Sequence, residues 1–211
     1  MSTTFEVYTP TKIVPSFNDI LALSNKYLAE KLESHGIDGD YIIDVSGRKL
    51  YTHDYVLFDK TRPAIWSKNE EYAWFTVNKQ PGGCDAYMYN FSDYCGLRLE
   101  AWNSEFELNE RAKKMESQMR KCLDTGFFWA FRRSAGQPAI IHLSYGLIAA
   151  AFAELTEGFI YSSDGAWDCA MFPTTAKHFL KNYFDPHYPV PDHADWAKEC
   201  IESIRNEESA K

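Results

Sequence analysis

From about residue 40 to residue 102 the apolar residues recur at every second position, in the runs Tyr41–Val45, Tyr55–Phe58, Tyr72–Val77, Ala86–Asn90 and Gly96–Trp102. Aromatic and β-branched side chains fill these runs, and Ser46-Gly47, Pro63, Pro81-Gly82-Gly83 and Cys95-Gly96 punctuate them. A period of two marks strands with one face buried. The interruptions are too short to hold the crossover helix that parallel neighbours require, so the strands are expected to pair antiparallel in a meander.

Helical spacing brackets this region. Asn18 to Ser34 reads as an amphipathic helix, with Ser16 as N-cap, Asp19 three residues on, Ile20, Leu21, Leu28 and Leu32 on one face, and Gly36 as the stop. Glu105 to Leu123 reads as a second helix ending at Gly126, followed by a buried strand over Phe127–Phe131. An alanine-rich helix over Ile148–Leu155, a strand over Phe159–Ser162 and two helices over Thr174–Tyr183 and Ala194–Glu207 complete the chain. The expected fold is a single α+β domain over residues 1–211: an antiparallel meander of about five to seven strands packed against several helices. Residues 40–102 are mainly strands in this reading and residues 105–207 mainly helices.

Composition narrows the function. A chain of 211 residues with 14 Phe, 13 Tyr and 6 Trp can bury a large core without disulfide or metal. It carries no run of apolar residues long enough to span a bilayer. Its first residues lack the basic and apolar regions of a secretion signal, and a cytoplasmic protein is expected. The net charge of −8 argues against nucleic acid, because phosphate neutralisation by bases supplies most of that affinity. Cysteines at 84, 95, 122, 169 and 200 include no C-x-x-C pair and match neither a zinc site nor a disulfide framework. No metal site and no cofactor is expected, and nothing in the sequence speaks to self-association.

Two stretches could carry chemistry. In Pro138-Ala-Ile-Ile-His-Leu-Ser144-Tyr-Gly146 a short apolar strand leads to a serine before a helix, the build of a nucleophile elbow. Asp164 or Asp168 and then His178 follow in the order of a serine hydrolase. His142 stands where the tight turn wants glycine, and the competing reading makes Ser144 a helix cap. Cys169 with His178 could form a thiol–base pair, although Trp167-Asp168-Cys169 is an aromatic and acidic setting that suits a buried, inert thiol better.

Charge is uneven at finer scale. Residues 111–133 hold seven bases and two acids, whereas residues 134–176 hold no Lys or Arg and only Glu154, Glu157, Asp164 and Asp168 as acids. One reading takes the first stretch as a solvated helix face and the second as core. The other makes Glu154, Glu157, Asp164 and Asp168 the rim of a binding surface, with Trp167 on the Asp164-Gly165 turn as its aromatic anchor. In the competing reading Trp167 packs into the core.

The segments Ala153–Trp167, containing Gly-Phe-Ile-Tyr-Ser-Ser-Asp-Gly-Ala-Trp, and Phe172–Phe184 resemble immunity proteins of bacterial polymorphic and type VI secretion toxin systems. That resemblance implies an acidic protein without catalytic residues that binds a cognate toxin and blocks its active site. A toxin with a basic active-site cleft would suit an acidic partner.

Overall fold

The structure is a computed structural model and describes residues 2–57, 59–65, 70–91 and 95–209, with the side chains of residues 95–99, 101 and 209 outside that description. Thr3–Tyr8 forms a strand, β1, that the periodicity did not announce. After it come α1 (Phe17–Ser34), β2 (Ile43–Lys49), β3 (Tyr55–Val56), β4 (Glu71–Val77) and β5 (Cys84–Asn90). The second half runs α2 (Cys95–Leu108), α3 (Glu110–Leu123), β6 (Phe127–Arg133), α4 (Ala139–Leu155), β7 (Phe159–Tyr161), α5 (Ala176–Asn182) and α6 (Pro191–Ser209). The strands make one antiparallel sheet in the order β3-β2-β4-β5-β6-β1-β7, so the fold is α+β.

In a plain meander β3 would lie between β2 and β4. Here β2 pairs with β4 over seven residues and the two-residue β3 is displaced to the edge, where it can add only Gly47↔Val56 and Arg48↔Tyr55. The far side of the sheet is closed by β1, which pairs with β6 along its whole length and with β7 beyond it. Five of the six residues of β1 are buried, so the strand shows no alternation to read.

Three boundaries differ from expectation. Gly96–Trp102 is helix rather than strand, as the first part of α2; Trp102 and Phe106, four apart, are both buried on one side of it. The single helix expected over Glu105–Leu123 is two, because the Asn109 side chain accepts hydrogen bonds from the N–H groups of Arg111 and Ala112 and so caps α3. The alanine-rich helix begins at Ala139 rather than Ile148, with 14 of its 17 residues buried. A helix enclosed on all sides has no amphipathic signal. The capping box expected at Ser16 and Asp19 is present, and α1 ends beside Gly36, in the left-handed region at φ 66°. Phe58, the expected end of the β3 run, lies outside the described residues.

Alternation then decides what each face carries. One face presents Phe5, Val7, Trp129, Phe131, Ala86, Phe75 and Val45, all buried, and α4 lies against it with Phe152 on Trp129 and Phe131 at 4.8 and 5.2 Å. Helices α1, α5 and α6 pack around α4. Two close approaches demand glycine. A side chain at Gly146 would meet the buried Tyr183 ring at 2.3 Å, and one at Gly158 would meet the Tyr8 carbonyl at the same distance. No helix among the described residues is long and apolar enough to cross a membrane.

Candidate functional site

The opposite face of the sheet is covered unequally. At one end Trp102 of α2 packs on Tyr8, Phe91 and Phe159, and Tyr8 stacks on Phe128 at 5.0 Å. Further along the strands run two cross-strand rows, the first partly solvent-accessible throughout and the second so only at Tyr55, Arg48 and Tyr87, its Tyr72, Ala130, Glu6 and Tyr161 being buried. The first is Ser46, Trp74, Asp85, Arg132 and Thr4, in register through β2, β4, β5, β6 and β1. The second carries Tyr55, Arg48 and Tyr72 from β3, β2 and β4, and continues with Tyr87, Ala130, Glu6 and Tyr161.

These side chains hold one another in place. The Arg48 guanidinium lies between the rings of Tyr55 and Trp74, 4.7 and 4.5 Å from their centroids, and its Nη2 donates to the Tyr55 hydroxyl at 3.0 Å. Tyr72 stacks on Tyr87 at 5.4 Å, and its hydroxyl is 2.9 Å from Nδ1 of His53. His53 is itself held at φ 58° in the turn between β2 and β3. Asp85 stands among these rings with 14 % of its side chain exposed and Arg132 3.7 Å away. Burial lifts its carboxyl above the usual range, against the pull of Arg132, His53 and Arg48. Burial likewise raises the Tyr87 and Tyr72 phenols. The face can thus offer flat aromatic surface and fixed charges of both signs.

Toward β1 and β7 the face dips into a recess of about 280 Å³ bounded by Thr4, Glu6, Tyr89, Phe128, Ala130, Ser163 and Asp164. Tyr89 stacks on Phe128 at 5.3 Å to form its aromatic wall. Asp164 is exposed, and its Oδ1 accepts from the Thr4 amide at 3.0 Å and from the Ser162 hydroxyl at 3.1 Å.

Of the five residues expected at a partner surface, only Asp164 lies on this face. Glu154 and Glu157 stand near the other end of β7. There Tyr27 donates its hydroxyl to Glu154, and Gln118 donates to the Glu157 carbonyl at 2.9 Å. The Thr156 carbonyl between them accepts from Thr9, five residues along the chain from the Thr4 that Asp164 holds, a separation of about 17 Å in extended backbone. Asp168 caps the 3-10 turn Cys169–Met171 and accepts the Tyr188 hydroxyl at 2.7 Å. Trp167 is 1 % exposed, against the expectation of a surface anchor. The rings of Tyr183, Phe184, Tyr188, His193 and Trp196 surround it at 5.0–6.0 Å. The lack of bases over residues 134–176 coincides with the enclosure of α4, and the bases of α3, such as Arg111, Lys113 and Arg120, are exposed.

Ser144, Asp164, Asp168 and His178, weighed for chemistry, each bond elsewhere among the described residues rather than to one another. Ser144 sits inside α4, neither at a strand–helix turn nor at a cap, and its hydroxyl donates to the Ile140 carbonyl one turn back. Burial and the neighbouring Arg111 lower the pKa of His178, whose Nε2 is 3.1 Å from Nη1 of Arg111. Cys169 is exposed, not buried, whereas Cys84, Cys122 and Cys200 are buried free thiols; the Cys95 side chain lies outside the described residues. Among the described residues no three His, Cys, Asp or Glu side chains gather as a metal site.

The sequence reading passed over Trp74, Asp85, Tyr87 and Arg132. Its one available signal was in β5, where Asp85, Tyr87 and Tyr89 alternate with Cys84, Ala86 and Met88. Comparison with models of protein families, with curated proteins and with solved structures finds no match for this chain.

Proposed function

We propose that this chain is a binding protein without chemistry of its own, an immunity-type inhibitor that holds a cognate toxin against the partly exposed face of its sheet in the cytoplasm. The observation that carries the reading is the pair of cross-strand rows. Tyr, Trp and Arg are the side chains that dominate binding hot spots, and here Tyr55, Arg48, Trp74, Tyr87 and Arg132 share one face. The five strands that carry them span about 19 Å at the usual spacing, a stripe of aromatic and charged surface for a partner to cover. Residues already held by stacking and hydrogen bonds lose little side-chain freedom on docking, which favours affinity. The resemblance of Ala153–Trp167 and Phe172–Phe184 to immunity proteins supplies the class of partner. The serine-hydrolase alternative at Ser144 has no comparable support, since that hydroxyl is occupied within α4.

The test is to mix the purified chain with the product of the neighbouring gene and to follow both complex formation and toxin activity. Complex formation with loss of toxin activity is expected, and Tyr55→Ala with Arg132→Glu should weaken it at least tenfold. A stable complex that this double variant leaves intact would move the interface elsewhere; no complex at all would remove the reading.

A further inference from the structure

We infer that Arg133 holds a small free carboxylate at the start of α4, on the face of the sheet opposite the proposed toxin surface. Arg133 ends β6, opposite Thr3 and Cys84 in register, and shares its side of the strand with Phe131, under α4. Only 9 % of the residue is exposed, and its Nε is enclosed without a hydrogen-bond partner. No carboxylate among the described residues pairs with it. The guanidinium lies over the rings of Tyr145 and Trp196, 5.4 and 5.8 Å from their centroids. Rings attract a cation, but they leave its in-plane hydrogens without acceptors. A charge taken this far out of water ordinarily has a counter-ion, because going without one is costly.

The start of α4 adds charge of the same sign. The helix begins at Ala139 behind Pro138, which offers no side-chain cap, and its first turn carries no acid. The amides of Ile141 and His142 donate to the Pro138 carbonyl, whereas those of Ala139 and Ile140 donate to no group among the described residues. Gln137 is occupied, exchanging two hydrogen bonds with Gly83. The positive end of a 17-residue helix therefore stands uncapped at this end of the sheet. His142, one turn in, has its ring 5.6 Å from Trp196, and burial and the field of Arg133 keep it neutral. Asp192 and Glu199, one turn either side of Trp196 on α6, are exposed and pair with no base among the described residues.

A carboxylate is the anion that uses these features. Its two oxygens lie in one plane and match the guanidinium fork with two parallel hydrogen bonds. Rings over Arg133 leave the edge of the fork for a ligand, and a planar ligand continues that edge. A tetrahedral oxyanion stands out of the plane. The narrow exposure also favours a small free acid over a side chain carried on a second protein backbone. Its charge offsets both Arg133 and the positive end of α4.

The test uses the full chain at neutral pH and constant ionic strength, with sodium acetate as the probe and chloride as the reference anion. Acetate should shift the Arg133 Nε–H resonance and the Ala139 and His142 amides saturably, with a dissociation constant of about 1–10 mM. At about 100 mM, that affinity should raise the melting temperature by about 3–11 °C over chloride. Sulfate and N-acetyl-aspartyl amide should bind more weakly. Arg133→Gln should abolish the rise, and without acetate it should melt no lower than the original chain, because it removes a buried charge that lacks a partner. Equal shifts by chloride, no saturation by about 100 mM acetate, or the same rise in Arg133→Gln would each overturn the inference. Equal or tighter binding of sulfate or of the aspartyl amide would overturn it too. So would acetate binding seen only after Asp192→Asn with Glu199→Gln, since those acids would then already serve Arg133. If Arg133→Gln fails to fold, the resonance titration of the original chain decides by itself. No toxin enters the test, so its failure leaves the binding reading standing, and failure of that reading leaves this site standing.

Discussion

Replacing Trp167 with alanine separates a core role from a surface role, and the structure sets the size of the effect. The side chain is 1 % exposed and sits among five rings, with Tyr183 edge-on at 5.2 Å and Phe184 parallel at 6.0 Å. Its indole N–H has no hydrogen-bond partner, so truncation strands no polar group. The loss is therefore the transfer term plus the cavity, about 3–5 kcal/mol for a buried tryptophan. Collapse of the cavity is opposed because Tyr183 and Phe184 are themselves fully buried and packed against other rings. In a chain of 211 residues each kcal/mol is worth about 2–4 °C, so the melting temperature should fall by roughly 6–20 °C. Differential scanning calorimetry of Trp167→Ala and Trp167→Phe measures it, and the phenylalanine variant should recover more than half of the loss. A fall below about 2 °C in the alanine variant would refute the assignment of Trp167 to the core.

Asn109→Ala should cost about 2 kcal/mol, because it removes the cap of α3 together with the side-chain donation to the Phe172 carbonyl at 2.8 Å; urea denaturation measures it. His142 is held neutral by burial and by Arg133, which together lower its pKa to about 4. The unfolded chain therefore takes up this proton first, and stability should fall as pH drops from about 6.5 to 4. His142→Gln should flatten that part of a stability–pH profile. Burial raises the Cys200 thiol to about 11 and the Cys122 thiol to about 12, so iodoacetamide at neutral pH should modify Cys169 before either, as peptide mapping would show. Thermal unfolding should be one cooperative transition, since the buried apolar side chains form one contiguous cluster; two separated calorimetric peaks would contradict that.

Local and self-contained features were legible in the sequence. Ser16 and Asp19 sit three apart and need only each other to start α1, and the run Tyr72–Val77 pairs with a neighbour a hairpin away. Their signals depend on spacing, and spacing survives without tertiary context. What tertiary structure decided was the first strand and the first half of the central helix. The strand Thr3–Tyr8 and the helix Ala139–Leu155 are buried nearly all round, so neither has a polar face to set its period. Trp167 beside two acids has the same sequence signature whether it points out or in; only the arrival of Tyr183, Tyr188 and Trp196 from distant segments put it inside. The partly exposed row on the other sheet face depends on long-range register for the same reason. Arg48, Trp74, Asp85, Arg132 and Thr4 come from five strands, and a slip of one residue in any of them would turn its side chain to the other face.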